Sequence, residues 1–296
     1  MTAPAQFPPS VPYGYQQPQF TSQLPIEDAT LGHALRSEWT KIRTVRSTVW
    51  TLCVMLALVI GINLLVVVPI NDHNDGSVPV LGPGLFGLIF GQLAIITLGV
   101  LVITSEYGTG MIRTTLTSCP QRSRVLAAKA IVFFLLTFTI TTVACTMTAL
   151  INWSVLSGKS VDRYDDGYAE FTRNGHLAAS GGQWLGATLG AALYVALLGL
   201  LALAVGTLLR HSAGAITAML GVVMLPLMLA IFLPSSLQSV RDNMIRYSAP
   251  NALASLYRLP MIGDADQNGL PQLFTLLAVT AVALTGAFVA LNSRDV

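Results

Sequence analysis

Six apolar stretches divide this chain, and none contains an Asp, Glu, Lys, Arg or His. They run over Val49–Ile70, Gly84–Ile103, Ala130–Ile151, Gln183–Leu209, Ala213–Leu233 and Leu270–Leu291. A helix rises about 1.5 Å per residue, so about 20 residues cross a hydrocarbon layer of about 30 Å. Each stretch has that length. Only 10% of the 296 residues are charged, against about 25% in soluble domains, which excludes a water-soluble fold. The expected architecture is an all-α membrane protein with six transmembrane helices. The missing charges also remove the intramembrane ionisable groups that proton- and ion-driven machines use.

Orientation follows from the Lys/Arg distribution. Arg36, Lys41, Arg43, Arg46, Arg113, Arg122, Arg124, Lys129, Arg210 and Arg294 fall on one side, ten of the 16 basic residues, with five acids. The alternate segments carry six basic residues and nine acids. Both termini are therefore expected in the cytoplasm (N-in/C-in). Trp153 and Trp184 sit at the outer ends of their spans, as interfacial aromatics do. No basic region followed by a short apolar core precedes Val49, so the first span is expected to act as the insertion signal.

Residues 1–30 read as a Pro/Gln-rich cytoplasmic tail without a fold, and residues 31–296 as one six-span domain. Over Leu31–Val49, Leu35, Trp39, Ile42 and Val45 share one helical face. This predicts an amphipathic helix at the inner leaflet. Glu38 lies close to the apolar stripe, where a carboxylate is badly placed against lipid. Lys41, three residues on, or a cation on another chain is its expected partner.

Within the spans, Gly87/Gly91 and Gly186/Gly190 permit close helix approach, expected within one subunit. Thr137, Thr141 and Thr148 share a stripe, as do Thr139, Thr142 and Thr146; bonding to their own helix carbonyls is the expected use. Asn63 and Gln92 should each face another helix, because lipid offers an amide no partner. Pro226 should loosen or kink the fifth span. The last outer segment predicts two short interfacial or re-entrant helices, one with Leu237, Val240, Met244 and Tyr247 at helical spacing, the other with Leu253, Leu256 and Tyr257.

Several motifs mislead. Gly158-Lys159-Ser160 looks like the end of a phosphate-binding loop, but Trp153 occupies the required glycine position. The four histidines lack metal-ligand spacing, and Cys53, Cys119 and Cys145 form no disulfide or zinc pattern. No catalytic residue, metal or cofactor site is expected.

The loop after the second span, Ser105–Arg124, is the most patterned polar segment. Gly108 and Gly110 interrupt the helix, Thr109 can cap a new short one, and Ile112 and Leu116 form an apolar edge beside Arg113. Ser118–Pro120 forms a turn, and Lys129 is expected to snorkel at the start of the third span. A short rigid helix held by two spans suits the transmission of a push into the membrane.

Glu106, Gly110, Arg113, Leu116, Pro120, Arg122 and Lys129 match the E-x3-G-x2-R-x2-L-x3-P-x-R-x6-K pattern of the permease subunits of bacterial type-2 ATP-binding cassette (ABC) transporters, which this chain resembles. Ser37–Arg43 with Arg46-Ser47-Thr48 resembles that family's segment before its first span. The resemblance implies a connecting helix bearing Glu38, Trp39, Lys41 and Arg43, and a coupling helix between spans 2 and 3. Coupling would rest on Glu106, Gly110, Arg113, Leu116, Pro120 and Arg122. It further implies a permease for ATP-driven export in the bacterial cytoplasmic membrane. A separately encoded ATPase subunit would bind the ATP, beside a second permease copy in a homo- or heterodimer. The lipid bilayer is the third partner, and no nucleic acid is expected. Charge reversal at Glu106 is expected to spare insertion and reduce substrate-stimulated ATP hydrolysis. The alternatives are a secondary transporter or channel, which should show an intramembrane carboxylate or polar filter, and a non-transporting membrane scaffold.

Overall fold

In a computed structural model the described residues are 30–72, 78–111, 121–160, 171–261 and 268–293. Residues 1–29 of the tail and 112–120 of the patterned loop lie outside them. Nine helices are described: α1 Leu31–Thr44, α2 Arg46–Asp72, α3 Pro83–Gly108, α4 Arg122–Leu156, α5 Gly181–Leu209, α6 Ser212–Phe232, α7 Gln238–Arg246, α8 Ala249–Leu256 and α9 Leu270–Ser293. Six of them, α2 to α6 and α9, are long and apolar enough to cross a bilayer. The chain is a multi-pass, all-α membrane protein. Among the described residues the strands form a two-stranded ribbon of two residues each, Thr172–Arg173 with His176–Leu177, turning through Asn174-Gly175 at positive φ.

The helices overrun the uncharged stretches at one end of the bundle. α3 continues to Gly108 and so includes Glu106, while α4 begins at Arg122 and includes Lys129. The apolar run measures where lipid must be faced; backbone hydrogen bonding goes further wherever other helices supply partners.

α5 is the central element. Of its apolar window 72% is buried, against 17% in α9, and it packs on α3, α4, α6 and α9. Its composition explains the position. Small residues let neighbouring backbones approach, which is how helices associate when lipid tails are as apolar as side chains. Gly199 and Gly99 bring α5 and α3 together, a Cβ on Gly99 running into the Gly199 carbonyl oxygen. Gly87 and Gly91 of α3 do the same against Val59 of α2, within the single chain. Gly186 and Gly190 lie in a π-helical turn and accept Leu256 at the end of α8.

The threonine stripe of α4 resolves as local bonding at two of its three members, the Thr141 hydroxyl having no partner among the described residues. Thr137, Thr141 and Thr148 are buried; Thr137 donates to the Phe133 carbonyl and Thr148 to that of Cys145. Asn63 and Gln92 are fully enclosed between helices. α6 continues through Pro226. At the end opposite α1, α8 is buried over its whole length, whereas α7 buries Ile245 and leaves Val240 exposed, with Leu237 and Tyr247 exposed at its two caps. The spacing of Leu237, Val240, Met244 and Tyr247 therefore marks an outward face, and packing selects the other side of the helix.

Candidate functional site

α1 is opened by Thr30, whose hydroxyl accepts from the His33 amide, and is closed at Val45, an extended residue with φ −79° and ψ 108°. The continuous helix expected over Leu31–Val49 is thus broken, and α2 restarts at Arg46. The break separates a surface helix from a span. It also settles which face of α1 turns inward: the buried residues are Glu38 and Ile42, one turn apart, while Leu31, Trp39 and Val45 are exposed.

α3 ends on Gly108, and Gly110 follows with φ 72°, a conformation costly for any residue with a Cβ. The interruption falls where the two glycines predict it. The Thr109 hydroxyl donates back to the Ser105 carbonyl in the last turn of α3, and the short helix it is expected to cap lies outside the described residues. Two helix ends are thereby brought under α1. Glu106 is in the last turn of α3, where the negative end of the helix dipole disfavours a carboxylate. Lys129 lies two turns into α4.

These residues meet in a four-membered ionic cluster. The Lys129 Nζ donates to Glu38 Oε2 at 2.7 Å and to Glu106 Oε1 at 2.9 Å. The Lys41 Nζ donates to Glu38 Oε1 at 2.7 Å and to the same Glu106 Oε1 at 3.0 Å. The Lys129 side chain is 2% exposed, so it does not snorkel; two carboxylates hold it inside. The physical reason is depth. Lys129 begins inside the protein interface of α4, and the nearest neutralising charges are internal. Glu38 finds both its expected neighbour Lys41 and a cation 91 positions away in the same chain.

Burial by itself would raise the Glu38 carboxyl, but the charges and hydrogen bonds of Lys129 and Lys41 outweigh it and hold the group below its ordinary 4.5. Lys41 would be lowered by burial, and Glu38 and Glu106 instead hold it above its ordinary 10.5. The Glu38 contribution is complete above 4.5 and is lost as pH falls through the lowered value; that of Lys41 is complete below 10.5 and is lost as pH rises through the raised one. The packing of α1 on α4 should therefore be unchanged from about pH 5 to pH 10 and should loosen in acid. Fluorophore pairs at the exposed positions 43 and 123 report it; separation beginning near neutrality would refute the cluster's role.

The structure thus brings together Glu38, Lys41 and Glu106 and leaves Trp39 and Arg43 facing outward. Gly110 is exposed at the end of α3. Arg113, Leu116 and Pro120 lie outside the described residues, as does the side chain of Arg122. Glu106 is buried against two lysines, so charge reversal there removes two ion pairs as well as any coupling contact, and its test needs a folding readout beside the ATPase one. One contact had no sequence signal: the Arg210 guanidinium, on a left-handed residue at the end of α5, stacks 5.2 Å from the Tyr107 ring centroid. It ties the α5–α6 turn to the end of α3.

No protein-family model matches the chain, and no curated protein matches it significantly. The six-helix architecture fits a multi-span membrane transport protein in general.

Proposed function

We propose that this chain is the permease subunit of an ATP-driven exporter, working as a pair of copies with a separately encoded ATPase, and with α1 and the 112–120 loop at the cytoplasmic face. The observation that supports this reading best is the cluster of Glu38, Lys41, Glu106 and Lys129. It fastens α1 to the two helices that flank the 112–120 loop. A displacement delivered to that loop reaches the ends of α3 and α4 directly and α1 through the ion pairs. The three then move as one body, and α3 drives the central α5 through their glycine contact. The chain performs no hydrolysis; it converts a partner's closure into rocking of the spans.

The test is reconstitution. The chain in vesicles should move substrate only with its ATPase and ATP present, and transport by the chain alone would refute the reading. Arg113→Glu, in the loop resembling a coupling helix, should weaken ATPase association about tenfold, equivalent to ~1.4 kcal/mol, without lowering the melting temperature. Unchanged association would remove the loop from the coupling role.

A second reading gains from the same cluster, because two buried carboxylates are a feature of ion-driven carriers. It requires transport that survives ATP depletion and stops when the ion gradient collapses.

A further inference from the structure

A cleft of about 370 Å³ opens at the surface between α1, the start of α2 and the end of α3. Its volume falls within the roughly 300–1,000 Å³ of small-molecule sites. One part of its lining is polar, with the ionic cluster and the hydroxyls of Ser47, Thr48 and Thr51; the rest is apolar, including Val45, Leu101 and Val102. Exposed Val49, Trp50 and Val54 continue the apolar surface along α2. The cleft is therefore amphipathic and sits where a surface helix turns into a span.

Its polar part is incomplete. Glu106 lines the cleft and Oε1 accepts from both lysines, whereas Oε2 is enclosed and has no hydrogen-bond partner among the described residues, so a ligand in the cleft reaches it by a turn of the carboxylate. A buried carboxylate oxygen without a donor is costly and calls for one. Lys41, with three N–H groups and two of them engaged, retains one donor on the more open side of the cluster. The two acids and two lysines cancel, so neither a simple cation nor a simple anion gains net attraction. A ligand carrying both charges does: a donor for Glu106 and an acceptor for Lys41.

We propose that this cleft binds the headgroup of a membrane phospholipid bearing a primary ammonium, of the phosphatidylethanolamine type. The ammonium supplies an N–H to Glu106, and the phosphate accepts from Lys41 and from the Ser47 and Thr48 hydroxyls, that of Thr51 being given to the Ser47 carbonyl. The acyl chains leave along Val45 and the exposed face of α2. A quaternary ammonium has no N–H to donate and satisfies only half of the site. This inference goes beyond the exporter reading and does not depend on it.

The full chain is placed in phosphatidylcholine nanodiscs containing a photoactivatable phosphatidylethanolamine, and labelled peptides are mapped. Labelling should concentrate within residues 42–51 and 98–105. Unlabelled phosphatidylethanolamine should compete about tenfold better than phosphatidylcholine or phosphatidylglycerol, a difference of ~1.4 kcal/mol. Thr51→Trp and Val102→Trp, which fill the cleft, should each lower that labelling about tenfold and spare the exposed face of α9 at Phe274 and Val282. Equal competition by all three lipids would mean a boundary lipid only and would overturn the proposal. Competition by free ethanolamine as strong as by the lipid would also overturn it, assigning the site to a soluble amine. So would labelling that persists in the filled variants. If those variants fail to fold, headgroup competition in the native chain decides alone.

Discussion

Lys129→Met should lower unfolding free energy by about 3–5 kcal/mol, the effect of removing one partner from a buried ion pair. Methionine keeps much of the volume, so cavity formation contributes little. The loss is electrostatic: Glu38 and Glu106 would face each other across a site in which Lys41, with a 27% exposed side chain, is the remaining cation. Adding Glu38→Gln removes the excess charge and should restore part of the stability, with a coupling energy on the order of 0.5–3 kcal/mol. Exchanging the pair, Glu38→Lys with Lys129→Glu, should recover more than either single reversal. Reversible unfolding in bicelles measures each step. A Lys129→Met protein as stable as its parent would show that the cluster contributes nothing to holding α1.

Gly99→Val is expected to be the next most damaging change. Any Cβ there meets the Gly199 carbonyl oxygen, with the Ala202 Cβ at 3.2 Å, and neither is the movable tip of a side chain. α3 and α5 must separate, at a cost of about 1–3 kcal/mol or more for overpacking. Because α5 is the central helix, the separation propagates to α4 and α9. Gly286→Ala in α9 is the matched control, since nothing lies within 4 Å of its added methyl. It should be neutral or gain up to about 1 kcal/mol from the lower backbone entropy of alanine. Equal effects at the two positions would contradict the close α3–α5 contact.

The glycine pairs show how far a pattern can be read. Gly87/Gly91 and Gly186/Gly190 have the four-residue spacing that marks close packing, and both approach a neighbour within the chain. Gly99 and Gly199 make an equally close contact without the spacing, because each needs only one small position opposite a backbone. Glu38 was legible as an anomaly: a carboxylate on an apolar stripe needs a cation. Lys41 was visible at three residues' distance, whereas Lys129 was not. As the first charge before a long apolar run, it has the position of a snorkelling lysine. Only the overrun of α4 past that run, with α1 laid across it, turns it inward.

From its amino acids alone this chain is committed to six membrane helices, because hydrocarbon leaves a long uncharged segment no other way to satisfy its own backbone. That requirement is local and acts on each segment separately. Which helix lies at the centre, where α1 breaks, and how four charges from three helices neutralise one another were decided by packing. Those choices depend on distances between residues 23, 65 and 91 positions apart, and a charge in isolation does not reveal which opposite charge will share its low-dielectric site.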